Sequence, residues 1–305
     1  MFILCNLTGT EEPDKVSIVE TNSARHVRNI LPVVKITQQP TMHMFSACVS
    51  PMHSNFSDTA QLTEWVELNR MLGIKKFTFY INSVSKNVRN ILEYYEHKGL
   101  AVLLPWTLPK KLADLSHKRL HYYGQLAALN DCLYRSKGRS LYLSSTDLDE
   151  FIIPQKPTQI TWSDMLSRLP SKSVYIIRCS FFSQKRSCSR KIKCRERLTI
   201  DSHKVRDNIV LGSHKRSKYI AKTSELITMG IHFIWELHTG SEYTVNPKIA
   251  LLHHYRKDDK RYTSVKNAYR KIPHKTAGKY STSLHKRLKN ITNEFDKVSN
   301  ISVHK

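Results

Sequence analysis

Hydrophobic residues along the middle of the chain follow two alternating patterns. Short apolar runs bounded by Pro or Gly are typical of buried strands, and longer stretches with apolar residues on one helical face are typical of helices. The first run covers residues 44–49 and ends before Pro51, and the helical stretch 62–72 ends before Gly73. The same alternation predicts strands at 76–81, 100–104 and 140–144, and helices at 84–98 and 119–136.

This alternation predicts the fold class. Helices that lie between successive strands favour parallel pairing with right-handed crossovers. We therefore predict an α/β fold whose first half is a Rossmann-like sheet, with a ligand site at the carboxyl ends of its strands. After Pro154 the pattern changes to a mixed, loop-rich half, with strands at 173–178 and 248–252 and an ambiguous segment at 219–235.

The formal net charge of +24 is concentrated in two segments. Residues 185–222 carry 13 Lys/Arg against 3 Asp/Glu and residues 255–305 carry 14 against 4, whereas the rest of the chain carries 22 against 18. Basic segments attract nucleic acid, anionic membranes or phosphorylated ligands, or simply form a solvated surface. Because aromatic residues are sparse in 185–222 and no nucleic-acid-binding motif occurs there, we do not expect a nucleic-acid partner.

Cysteines and glycosylation sequons favour the secretory lumen. None of the six cysteines forms a C-x-x-C pair, so neither a zinc site nor a thioredoxin-like site is favoured. Cys188 and Cys194 flank five residues and are the pair predicted to form a disulfide. No stretch approaches the ~18 consecutive apolar residues of a membrane span, so we expect a soluble chain or the luminal part of an anchored one. N-x-S/T sequons occur at Asn6, Asn55, Asn290 and Asn300.

The strongest local signal is an acidic motif directly after the predicted strand 140–144. Asp147 and Asp149 are two residues apart, so on an extended strand end their carboxylates project to the same side. Two oxygen ligands placed in this way suit Mg²⁺ or Mn²⁺, which also bind phosphate oxygens and water. A metal there could bridge a diphosphate and neutralise its charge as it leaves. The alternative is an exposed acidic turn without a ligand.

These motifs, in this order, resemble glycosyltransferase family 92. The resemblance covers residues 45–256, about 210 of the 305 residues, and is centred on the acidic motif and the apolar residues that follow it. The matching residues are Ala47-Cys48-Val49-Ser50-Pro51, Leu62-Thr63-Glu64-Trp65-Val66, Leu72-Gly73-Ile74, Phe77-Thr78-Phe79-Tyr80, Tyr94-Tyr95, Gly99, Pro105-Trp106, Gln125, Asn130-Asp131-Cys132-Leu133-Tyr134-Arg135, Asp147-Leu148-Asp149-Glu150-Phe151-Ile152-Ile153-Pro154, Lys222, Gly230-Ile231-His232 and His254-Tyr255-Arg256.

The resemblance implies a GT-A fold and an inverting transfer of a hexose from a UDP-sugar to a glycan or glycoprotein acceptor, with UDP-galactose as the expected donor and Mn²⁺ as the cofactor. We then expect a lead-in at 1–40, a glycosyltransferase domain at 41–256 and a basic C-terminal tail at 257–305. The domain divides into a nucleotide-binding half, 41–154, and an acceptor-binding half, 155–256. Family members are anchored in the Golgi by an N-terminal membrane helix, which this sequence does not contain. It also departs from the family in its polar strand end, Ser144-Ser145-Thr146.

The resemblance also suggests roles for individual residues. Asp147 is expected to face the ribose and the metal, and Asp149 to bind the metal directly. His254, at the end of an apolar strand, is the first choice for a third ligand, and His232 is the second choice. Glu150 is expected to orient a ligand or the donor. For either histidine, the alternative is a hydrogen-bonded structural role.

An inverting transfer needs a general base within reach of the acceptor hydroxyl. Glu236, Asp258 and Asp259 are available in the second half, and Glu236 is our hypothesis. Two other interpretations stay open. The chain could be a basic, non-catalytic protein that binds nucleic acid or an anionic glycan, with steep salt dependence. It could also be a family member that no longer transfers sugar.

Overall fold

The computed structural model describes residues 42–109, 121–183, 198–256 and 270–302, the last seven of these by their backbone alone, and short pieces between residues 9 and 33. The chain divides into two compact units, residues 1–39 and 40–305. In the first unit, which we predicted as a lead-in, strand β1 (Lys15–Val16) pairs antiparallel with β2 (Leu31–Pro32).

The second unit contains the remaining strands and the helices. Its helices are α1 (Thr59–Leu72), α2 (Lys86–His97), α3 (Gln125–Ser136), α4 (Trp162–Leu166), α5 (Thr199–Ser202) and α6 (Ser281–Ser302). Its strands are β3 (His43–Met52), β4 (Lys76–Ile81), β5 (Ala101–Pro105), β6 (Ser140–Ser145), β7 (Glu150–Pro154), β8 (Val174–Ile177), β9 (Cys179–Ser183), β10 (Val205–Asp207), β11 (Lys218–Lys222), β12 (Leu226–Met229), β13 (Ile234–Leu237), β14 (Glu242–Thr244), β15 (Ala250–Arg256) and β16 (Lys271–Pro273).

The first half of this unit has the predicted α/β topology. Strands β6, β3, β4 and β5 are neighbours in that order, and each adjacent pair is parallel. Helix α1 begins after the N-cap Asp58 and ends at Gly73, whose φ of 114° is accessible to glycine at little cost. Helix α3 begins at Gln125 rather than near residue 119, because Tyr122, Tyr123 and Gly124 all have positive φ.

Later strands complete two larger sheets. β11, β8 and β14 extend the parallel strands into a seven-stranded sheet, with β11 antiparallel to both β6 and β8. A five-stranded sheet has the order β16-β10-β9-β15-β7. The ambiguous segment 219–235 therefore belongs to three strands, β11, β12 and β13. This mixture of parallel and antiparallel pairs agrees with the mixed second half that the sequence predicted.

The segment that we assigned to a C-terminal tail packs on the domain. Strand β16 pairs antiparallel with β10, and helix α6 lies against α1. Leu284 is fully buried, and the Arg287 guanidinium lies 3.3 Å from the carboxylate of the buried Glu67. The compact unit therefore continues beyond residue 256, where we expected the glycosyltransferase domain to end.

The core lies on both faces of the large sheet because strand residues alternate between them. On β3, Phe45, Ala47 and Val49 face a cluster that includes Trp65 from α1. Cys48, between them, faces the opposite cluster, which α3 covers. The sheet is thus fixed from both sides, and the carboxyl ends of β3 and β6 are held together.

A disulfide joins two of the elements that carry the site. Cys48 on β3 is bonded to Cys132 on α3, 84 residues later. Both cysteines belong to motifs quoted above, but spacing alone does not reveal their pairing. Cys179 is a free, buried thiol, and the predicted pair Cys188–Cys194 lies outside the described residues.

Loss of this disulfide should lower stability markedly. Closing a loop of this length removes enough entropy from the unfolded chain to stabilise the fold by about 4–5 kcal/mol. We expect a reductant to lower the melting temperature by about 5–10 °C. In the double variant Cys48→Ala/Cys132→Ala, the same reductant should lower the melting temperature by less than it does in wild type. Peptide mapping that finds Cys48 alkylated in the oxidised protein would contradict the pairing.

Candidate active site

The acidic motif forms the connection between the two sheets. β6 ends at Ser145 in the seven-stranded sheet, and β7 begins at Glu150 in the five-stranded sheet. The turn between them is closed by two hydrogen bonds. The Glu150 backbone N–H donates to the Asp147 carbonyl at 3.0 Å, and the Asp147 N–H donates to Glu150 Oε2 at 3.1 Å. The polar strand end before it is buried, and Ser144 Oγ donates to the Tyr219 carbonyl of β11.

This turn opens onto a cavity of about 1040 Å³ at the carboxyl end of β6. Such a volume is at the upper end of the range for small-molecule and cofactor sites. The lining combines two carboxylates, four histidines, two arginines and an apolar edge. The lining residues are Val49, Ser50, Pro51, Met52, His53, Phe56, His121, Tyr122, Gln125, Asp147, Leu148, Asp149, Arg216, Ile231, His232, His254 and Arg256.

Asp147 is held by polar groups from three other elements or loops. Ser50 Oγ donates to its Oδ1 at 3.2 Å, and Gln125 Nε2 in turn donates to Ser50 Oγ at 2.6 Å. Lys218 Nζ donates to Asp147 Oδ2 at 3.3 Å. Burial would raise the pKa of Asp147, but Lys218, with smaller contributions from His254 and Ser50, lowers it below its ordinary value. Asp147 is therefore an oriented, ionised carboxylate.

Lys218 supplies a positive charge behind the acidic motif. Its side chain is only 1% exposed, and its Nζ lies 3.3 Å from both Asp147 Oδ2 and Glu150 Oε2. Burial disfavours the ammonium, but these two carboxylates raise the pKa of Lys218 above its ordinary value. For Glu150, burial raises the pKa, Lys218 opposes it and Asp147 adds to it, and the net shift is upward. Sequence reasoning did not single out Lys218, because composition shows that the segment 185–222 is basic but not which of its charges are buried.

Strand pairing brings His254 to the acidic motif. In the antiparallel pairing of β15 with β7, His254 lies opposite Glu150, and the Tyr255 N–H donates to the Asp149 carbonyl at 2.8 Å. His254 Nε2 is 3.3 Å from Asp149 Oδ2. Burial lowers the pKa of His254, but the hydrogen bond with Asp149 and the neighbouring carboxylates raise it overall. His253 is fully buried and stacks on another ring, so it does not line the cavity.

His232 also lines the cavity, on the turn between β12 and β13. Tyr219 Oη donates to the Gly230 carbonyl at 2.7 Å and fixes the start of this turn. A Cβ at Gly230 would lie 2.2 Å from Trp235 Nε1, so only glycine allows the indole to cover the turn. Burial and the charge of Lys218 lower the pKa of His232. Both histidines proposed from the sequence therefore face the same cavity.

The structure does not bring Glu236 to this cavity. It lies exposed on β13, and its Oε2 accepts a hydrogen bond from Thr228 Oγ1 at 3.2 Å. Asp258 and Asp259, the other general bases considered, lie outside the described residues. Glu150 does not line the cavity either. It contacts Asp147, Lys218 and His254 from behind the cavity wall.

The residues around the acidic motif fit a divalent cation in part. Neighbouring ligands of an octahedral ion with bonds of 2.0–2.1 Å lie about 3 Å apart, close to the 3.3 Å between His254 Nε2 and Asp149 Oδ2. The other ring nitrogen, His254 Nδ1, lies 3.2 Å from Glu150 Oε1. Asp147 fits less directly, because Ser50 and Lys218 already contact its two oxygens. Within the described ranges, no three His, Cys, Asp or Glu side chains are preassembled as a metal-binding group.

Comparison with known proteins identifies the family. The sequence profile of glycosyltransferase family 92 matches residues 43–298, which is most of the chain. The chain belongs to glycosyltransferase family 92. The match includes β16 and most of α6, and so it agrees with the packing of the C-terminal segment on the domain.

Individual relatives match shorter segments. The β-1,4-galactosyltransferase galt-1 of Caenorhabditis elegans is 32% identical over 121 residues, which cover 39% of this chain and 27% of that protein. The family 92 protein F13G3.3 of the same organism is 36% identical over 81 residues, 25% of this chain and 16% of that protein. The matches thus span less than a third of either relative.

Solved structures show a weaker likeness. Residues 1–349 of Staphylococcus aureus TarS align at a TM-score of 0.35 and 12% identity, covering 59% of this chain and 47% of that one. The bifunctional glycosyltransferase WbbM aligns at a TM-score of 0.25 and 12% identity, covering 50% of this chain and 26% of that one. These scores are too low to support a functional argument.

Proposed function

We propose that this protein is a metal-dependent, inverting hexosyltransferase that moves galactose from UDP-galactose to a glycan or glycoprotein acceptor. One observation carries the proposal. Asp149 and His254 approach within 3.3 Å of each other on the wall of a large cavity, beside Asp147 at the carboxyl end of a parallel strand. In open α/β sheets this is where ligands bind.

The residues of this site would have separate roles in binding the metal and the donor. Asp149 and His254 would hold Mn²⁺, with His232 as the alternative imidazole. Asp147, oriented by Ser50 and Lys218, would face the ribose and the metal. When bound, the cation neutralises the charge that develops on a leaving diphosphate.

The donor sugar is the least direct part of this proposal. Galactose is supported by the printed name of the C. elegans relative, a β-1,4-galactosyltransferase, over the segment that it shares with this chain. A hexose donor is expected to enter the same cavity next to the acidic motif. The acceptor would approach from the open side, because inversion requires attack opposite the leaving group.

A location in the Golgi or secretory lumen forms part of the proposal. The disulfide between Cys48 and Cys132 is of the kind that persists in oxidising compartments. The sequon residues Asn55 and Asn290 are both exposed. Among the helices in the described part of the chain, none has the length and apolar character to cross a membrane.

A donor-hydrolysis assay tests the proposal on the wild-type protein. With Mn²⁺ and UDP-galactose we expect slow release of UDP, and with a chelator we expect that release to cease. His254→Ala should reduce the rate by about 10–100-fold with little change in melting temperature, as is typical when metal-site residues are disturbed. His232→Ala is measured beside it.

The outcomes separate the competing assignments. A His254→Ala variant with full activity and a His232→Ala variant without it would move the third ligand to His232. UDP binding without hydrolysis or transfer to any tested acceptor would identify an inactive family member. Absence of UDP binding in both conditions, with steeply salt-dependent polyanion binding, would favour the basic binding protein.

A further inference from the structure

Two arginines in the cavity meet at one aromatic ring. Arg216 and Arg256 both line the cavity, on different elements. Their guanidinium carbons lie 6.0 Å and 4.7 Å from the centroid of the Phe181 ring, within the range of cation–π contact. The same ring lies 5.1 Å from the ring of His254. Phe181 therefore places two positive charges next to the acidic end of the cavity.

The backbone around Arg216 fixes the position of its side chain. Its φ is 54°, in the left-handed region that a side chain with a Cβ rarely adopts. Such strain persists where the surrounding structure imposes it. Ser217 and Lys218, which follow directly, are fully buried. The start of β11 is thus anchored, and Arg216 is held over the cavity.

The cavity wall carries charges of both signs. Asp147 and Asp149 lie at the acidic motif, where they suit a cation, whereas Arg216 and Arg256 lie around Phe181. Guanidinium groups bind phosphate oxygens through paired, charge-assisted hydrogen bonds. A wall of this kind is complementary to a cation and a polyphosphate bound side by side.

We propose that Arg216 and Arg256, supported by Phe181, form an anion subsite for the diphosphate of the nucleotide donor, and that this subsite acts without the metal. The inference rests on the proposed function for the identity of the nucleotide. It adds that the leaving diphosphate is held from two sides. In a chelator, UDP should therefore still bind with measurable affinity. Uridine, which lacks the diphosphate, should bind more weakly than UDP.

Arg216→Gly is the most informative variant, because glycine adopts a positive φ without strain. We expect calorimetry in chelator to show UDP and inorganic pyrophosphate binding weakened by about 10–100-fold, since a hydrogen bond to a charged group contributes about 1.5–3 kcal/mol. The melting temperature should change little, because relief of the strain at the positive φ offsets the lost contact with Phe181. Loss of function with no loss of stability is a result that a structural role for Arg216 would not produce. Arg256→Met should weaken binding of the same two ligands.

His214→Gly is the matched control. His214 lies two residues earlier with a φ of 66°, but it stacks on Phe233 and pairs with Glu242 outside the cavity lining. It should leave UDP binding unchanged. Wild-type affinity for pyrophosphate in both arginine variants, or no binding of either ligand to wild type in chelator, would overturn the subsite. Pyrophosphate binding that depends on the arginines, without any UDP binding, would keep the subsite and reject the proposed donor.

Discussion

Asp149→Asn is expected to weaken Mn²⁺-dependent UDP binding by about 100-fold or more, because a metal that stabilises a diphosphate contributes several kcal/mol. Asparagine keeps the shape of the side chain and can still contact His254, but it lacks the negative charge. Asp149 is about one-third exposed, so the fold should lose less than about 1 kcal/mol. Calorimetry with UDP and Mn²⁺ measures the effect, and a thermal melt monitors the fold.

Glu93→Gln provides a matched carboxylate-to-amide control. Glu93 lies on α2, half-exposed, and forms only a long ion pair of 3.9 Å with Arg89. We expect its UDP affinity to equal that of wild type. In chelator, Asp149→Asn should bind UDP as wild type does, since the arginine subsite would be intact. If Asp149→Asn keeps full Mn²⁺-dependent affinity, Asp149 is not a metal ligand.

The first half of the fold could be predicted because its signals are local. The strand at Lys76–Ile81 was predicted with its observed bounds, and Asp58, Gly73 and Gly99 lie at helix ends where the periodicity stops. In a parallel α/β unit each helix covers the strands next to it in sequence. Reading the pattern was therefore sufficient to place the acidic motif at a strand end.

The second half depends on contacts between distant residues. β11 lies between β6, more than 70 residues earlier, and β8, where Lys218 pairs with Ile177. This central place in the sheet buries Lys218 rather than leaving it solvated. Composition suggests the opposite, because the surrounding segment is strongly basic. His254 could be predicted, because an apolar strand becomes polar there. Lys218 and the disulfide of Cys48 could not, because each is defined by a partner far away in sequence.

The helix α6 shows a related difference. A basic composition over 255–305 suggested a tail, but the buried residues of this segment recur at helical spacing and pack on α1. Leu284 and Ile291 are buried, whereas Lys286 and Lys289, which lie between them in sequence, are exposed. The composition of this segment is dominated by charged residues on the outer face of an amphipathic helix. A count of charges therefore does not show the apolar residues that recur on its inner face.

Lys218→Met should be the most destabilising single change at the site. Removing one partner of a buried ion pair leaves an uncompensated charge, which costs about 3–5 kcal/mol. Here two carboxylates lose their shared ammonium, and Glu150 is as deeply buried as Lys218 itself. Because folded domains are stable by only about 5–15 kcal/mol, the loss should be evident in urea denaturation as a large fall in the midpoint.

Two further variants identify the cause. Lys222→Met changes a lysine at the other end of the same strand, whose ion pair with Glu225 is partly exposed, and should cost no more than about 1 kcal/mol. Adding Glu150→Gln to Lys218→Met removes the charge that was left unpaired, so the double variant should be more stable than Lys218→Met alone. A double variant that is less stable than Lys218→Met would show that the loss comes from packing of the lysine stem. If Lys218→Met and Lys222→Met lower the free energy of unfolding equally, the buried ion pairs of Lys218 contribute no more to stability than the partly exposed pair of Lys222. If the expected order holds, the buried Lys218 keeps the partly exposed Asp147 ionised and oriented at the cavity wall, which is the state that its proposed donor-binding role requires.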